Sequence, residues 1–129
     1  MEVVQLHVLT GWLAILMSFV SGAVIGLFFH RQGWAGGYGS FRRRMLRLAH
    51  ISFFGLGIIN LLFGLTVSAL DLDFPASRLT SMAFIIAVVT MPLCCYLAAW
   101  KRPLRMLFPI PVAASLAGII PLLAALTGQ

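Results

Sequence analysis

Acidic side chains are almost missing from this sequence: Glu2, Asp71 and Asp73 are its only carboxylates. Charge of either sign is scarce, at 9% of residues, where soluble domains carry about 25%. That scarcity excludes an ordinary soluble domain. The shortage of acids excludes more. A proton or cation pathway lacks its usual intramembrane carboxylate, and acid–base hydrolysis has no acid near His50, because all three carboxylates fall on the opposite side of the membrane from it. Cysteine is limited to the adjacent pair Cys94 and Cys95; neighbours in sequence are poor candidates for bridging each other, so no disulfide framework is expected. With Met45, Met91 and Met106 they form a soft-ligand set for Cu(I) only by composition, since no CxxC or Met-x-x-Met spacing is present. Their plain reading is small apolar filler. The glycine-rich stretch HRQGWAGGYGSFRRR lacks the Lys-Ser/Thr ending of a phosphate-binding P-loop and no strand precedes it.

What is present is apolar. Hydrophobic residues make up 61% of the chain and the mean hydropathy is +1.04. Uncharged stretches run Val3–His30, Leu48–Leu70, Leu79–Trp100 and Met106–Gln129, each long enough for a membrane span of about 20 residues. Spans are expected near 4–29, 47–70, 78–100 and 105–127. They leave no room for a separate soluble domain, so 1–129 reads as one transmembrane domain. Glu2 stands where a signal peptide has a basic region, and the apolar run exceeds a signal core of about 7–15 residues, so the first span is expected to be retained.

The net charge of +6 does not point to nucleic acid, because the basic residues sit at span boundaries. Arg31, Arg42, Arg43, Arg44 and Arg47 lie between spans one and two, and Lys101, Arg102 and Arg105 between spans three and four. The middle loop holds Asp71, Asp73 and Arg78, with Asp73 or Ser77 available as a helix cap. The positive-inside rule places both basic loops in the cytoplasm and both termini outside. The expected fold is therefore an all-α integral membrane protein, a four-transmembrane-helix antiparallel bundle with non-cytoplasmic termini, in a bacterial-type inner membrane. Trp34, Tyr38 and Phe41 make the first loop an interfacial turn with an aromatic belt and a polybasic patch against anionic head groups.

In lipid, helices associate through close approach at small residues and through interhelical hydrogen bonds. Span one offers His7, Gly11, Ala14 and Ser18 as one seam, and Ser18, Gly22 and Gly26 as a ridge that rotates away from it. Span two places His50, Phe53, Gly57, Asn60, Gly64 and Val67 on one face. Span three presents Ala83, Ala87, Thr90, Cys94 and Ala98, with a kink expected at Pro92. Span four presents Ala114 and Gly118, with Pro109 and Pro111 at its start and Pro121 as a second kink candidate. Gly22, Gly26, Gly57, Asn60 and Gly64 are the expected packing positions, and a small face left over on span one predicts a homo-oligomer or a larger membrane complex.

Depth decides which polar groups can meet. His50 lies about 5 Å and Cys94 about 9 Å inside the cytoplasmic boundary, while His7 stands roughly 35 Å from His30 at the opposite surface. An intramembrane histidine usually faces the bundle and marks a function. His50 and His30 on neighbouring antiparallel helices are therefore candidate axial ligands for a b-type haem, with Arg47 and Arg44 as propionate partners. No second matched histidine pair exists, as a two-haem cytochrome b would need, and a histidine beside Arg31 at a helix end is commonly interfacial. Asn60 reads as interhelical glue. Two functions follow: a small membrane subunit of an electron-transfer or respiratory-type complex, with no catalytic activity of its own, or a cofactor-free structural or transport-related bundle that oligomerises through its Gly/Ser faces.

Overall fold

The computed structural model describes residues 3–73 and 77–128. Helix α1 runs Val3–Phe28, α2 Phe41–Ala69, α3 Ser77–Trp100 and α4 Pro109–Thr127. Short 3-10 turns at Trp34–Gly36 and Arg102–Leu107 occupy the two basic loops, and the described residues contain no strand. All four helical segments are long and apolar enough to cross a membrane, the fourth counted with the turn before it. Residues 2 and 129, the natural reporters for the sidedness of the termini, lie outside the described residues.

The helices pack as a row in chain order. Each touches its sequence neighbour extensively, α1 meets α3 only lightly, and α4 has its main contact with α3. Where α1 and α2 meet, numbers rise on one helix as they fall on the other: Gly64 lies against His7, Gly57 against Ala14, and Gly22 against His50. The approach is closest in the middle, where a β-carbon added to Gly11 would stand 2.8 Å from the carbonyl oxygen of Gly57. Glycine is needed there because the two backbones almost touch. The buried residues of α1 are His7, Gly11, Ala14 and Ser18, the seam at spacings of four, three and four. Gly26, by contrast, has no neighbour that an added β-carbon would meet within 4 Å.

Helix α3 is the most enclosed element, with Ala83, Ala87, Cys94, Cys95 and Ala98 all buried. It continues through Pro92, whose ring is fully enclosed. Helix α4 seats against it where the Phe84 ring fills the notch left by Gly118, within 2.7 Å of a would-be β-carbon. Phe63, Leu72 and Phe84 form the cluster that Ile119 and Leu122 cover. Pro109 sits in the first turn of α4, where a missing N–H costs nothing.

Candidate functional site

The deepest polar cluster lies at the end of the molecule away from the basic loops. His7 on α1 and Asn60 on α2 are 0% exposed. The His7 Nδ1–H donates to Asn60 Oδ1 at 2.7 Å, and the Ser81 hydroxyl on α3 donates to His7 Nε2 at 2.8 Å. Asn60 Nδ2 donates to the Leu56 carbonyl at 2.9 Å, which fixes which end of its amide faces the imidazole. The ring stands edge-on to Phe63, centroids 4.5 Å apart. One neutral imidazole thus ties three helices together. The sequence placed His7 at a surface; the structure buries it, because five residues into α1 it faces Gly64, whose lack of a side chain admits its β-carbon. The signal was present in its leading position on the buried seam, and Ser81 gave none.

The second histidine sits nearer the basic end. His50 Nδ1 donates to the Ser18 carbonyl at 2.8 Å, and Ser18 Oγ donates back to the His50 carbonyl at 3.1 Å. The Ser21 hydroxyl donates to that same Ser18 carbonyl at 3.0 Å and lies 3.4 Å from the ring nitrogen. The imidazole lies across Gly22, its Cε1 2.6 Å from where a β-carbon would be. Its Nε2 hydrogen-bonds to no described residue. A depression of about 310 Å³ beside it is lined by Ser18, Phe19, His50, Ile51 and Phe54, facing outward from α1 and α2.

The other sequence candidates do not gather around His50. His30 is exposed, two residues past the end of α1, and about two helical turns beyond the Gly22 level that His50 faces. Arg44 is exposed. Arg47 lays its guanidinium over the Tyr38 ring at 4.8 Å. Cys94 donates weakly to the Leu107 carbonyl at 3.7 Å, and no three His, Cys, Asp or Glu side chains cluster as metal ligands among the described residues. His30 and His50 are therefore not brought together as a pair of axial ligands within this chain.

The first basic loop is folded around one arginine. Arg43, 1% exposed, donates through Nη2 to the Phe29 carbonyl at 2.7 Å. Its guanidinium carbon lies 4.8 Å from the Phe29 ring centroid, 5.5 Å from Trp34 and 5.2 Å from Tyr38. Aromatic faces attract a guanidinium at these distances. Ser40 caps α2, accepting from the Arg43 N–H at 3.1 Å while its hydroxyl donates to Ala35 O at 2.7 Å. Gly36 and Gly37 hold the positive φ values of 86° and 92° that the turn requires. The polybasic patch is thus one charge poorer at its surface than the sequence suggests. Side chains of a helix tilt toward its N-terminus, so an arginine in the first turn reaches back into the loop; the aromatic residues of that loop were the legible half of the signal.

A groove of about 380 Å³ between α1, α2 and α3 is lined by Leu13, Met17, Phe53, Val88, Leu93 and Tyr96 among others. Its wall is almost wholly apolar. No family model matches the chain, and neither a curated protein nor a solved structure does.

Proposed function

We propose that this chain is a small integral membrane subunit that serves by packing within a larger membrane assembly. In this reading it is an antiparallel four-helix bundle with both termini on the non-cytoplasmic side, where the α1–α2 pairings support the antiparallel arrangement and the basic loops support the sidedness. One observation carries the functional reading: the deeply buried His7, Asn60 and Ser81 are joined to one another, so these polar groups hold helices together and face no pathway. The row of helices leaves the outer sides of α1 and α4 apolar, with Gly26 open for a neighbouring helix. Purification from native membranes in mild detergent, followed by mass measurement, tests this. A particle containing more than one polypeptide is expected, reduced to the single chain by Gly26→Leu; a monomeric wild-type protein overturns the reading.

Membership of an electron-transfer complex is a second reading, favoured by His50. An imidazole whose Nδ1–H is anchored on a backbone carbonyl presents Nε2 in the tautomer and orientation that metal ligation uses. A b-type haem, if bound, would supply one-electron chemistry, with His50 as one ligand and the partner providing the other. Absorption spectra of the purified assembly decide it: a Soret band lost in His50→Ala supports ligation, and an unchanged spectrum in that variant rejects it.

A further inference from the structure

The second basic loop contains a depression of about 380 Å³ lined by Arg102, Pro103, Arg105 and Met106. Its geometry follows from the 3-10 turn over Arg102–Leu107. With three residues per turn, positions i and i+3 eclipse, so Arg102 and Arg105 project side by side. Both are exposed. Neither meets a carboxylate among the described residues, for the described acids, Asp71 and Asp73, lie past the far end of α2. Arg102 is steadied over the Phe41 ring at 5.3 Å. Met106, 81% exposed, completes the lining. Lys101 and Trp100 pair at 5.2 Å next to it, an arrangement typical of the head-group level of a bilayer.

We infer that this depression is a binding site for the phosphate of an anionic phospholipid. Two neighbouring guanidiniums suit a phosphodiester, which accepts charge-assisted hydrogen bonds from both. The apolar Met106 and the start of α4 receive the acyl chains. A basic pocket beside membrane helices on the side carrying the positive loops is where anionic head groups are captured. The inference needs only that the helices lie in a bilayer and is independent of whether the chain assembles with partners.

Native mass spectrometry of the purified full-length protein, exchanged into phosphatidylglycerol or phosphatidylcholine, tests it. Wild-type protein is expected to retain one phosphatidylglycerol in preference to phosphatidylcholine, and Arg105→Gln to lower that retention about tenfold. Arg44→Gln removes the same charge from the other loop and is expected to leave retention within about twofold of wild type. Equal loss in the two variants would mean a diffuse electrostatic film and overturn the site. Displacement of the lipid by millimolar inorganic phosphate would overturn the lipid assignment; its persistence supports it. Circular dichroism of both variants should match wild type, and Arg105→Lys should recover part of the retention, since it restores charge without the planar fork.

Discussion

At His7 the two ring nitrogens have opposite duties, one donating to Asn60 and one accepting from Ser81, so few side chains can replace it. His7→Ala leaves the Asn60 amide oxygen and the Ser81 hydroxyl without their shared partner. Interhelical hydrogen bonds in membranes average about 0.6 kcal/mol and reach about 1.7, so the variant should lose roughly 1–3 kcal/mol in reversible unfolding from mixed micelles. His50→Ala should lose less, because His50 is only half buried and its partners on α1 remain hydrogen-bonded to their own helix. An equal loss for the two histidines would contradict this ranking. The histidines also mark how far the sequence could be read. Asn60 was legible as glue because an amide near mid-span has few other uses, and His50 stood out by its depth. His7 escaped because depth along a span does not reveal azimuth relative to partners on two other helices, and Ser81 is indistinguishable by type from any serine near a helix start.

Among the elements, α1 and α2 depend on glycines whose surroundings differ sharply. Gly11 faces the Gly57 carbonyl oxygen and Leu61, whereas a β-carbon on Gly55 would meet nothing within 4 Å. Gly11→Ala must therefore push the backbones apart and destabilise by about 1–3 kcal/mol. Gly55→Ala should be neutral or stabilise by up to about 1 kcal/mol through helix propensity alone. Thermal unfolding of the two variants side by side checks the sign of each. The same contrast explains what periodicity could and could not supply. The spacing of small residues marked Gly57 and Gly64 as packing positions, and both lie buried against α1. It treated Gly22 and Gly26 alike, yet Gly22 accommodates the His50 ring and Gly26 faces outward. A 3.6-residue repeat drifts around the helix axis, so a ridge legible in one dimension can begin inside the protein and end outside it.

Over the whole molecule, the charge distribution is the feature most directly readable from sequence. All basic residues except Arg78 gather at the end where Arg102 meets Phe41 across the two loops. Cysteines introduced at Gln32 and Gly128, in a background where Cys94 and Cys95 are replaced by Ala, should label from opposite sides in intact cells. Gly128 is expected to react with an impermeant maleimide from outside, and Gln32 only after permeabilisation; the reverse pattern would invert the topology. The row-like packing was not legible, because loop length fixes which helices are neighbours but not whether the first and last also meet.

The clasp around His7 joins residues 53 and 74 positions apart, and this separation is also a span of time. At roughly 5–20 residues per second, Ser81 leaves the ribosome's catalytic centre about 4–15 s after His7. Until then α1 carries an imidazole with at most one of its two eventual partners. Biogenesis of this protein thus contains an interval, set by translation speed, in which its first helix is chemically unfinished, and slowing synthesis between Asn60 and Ser81 would lengthen it.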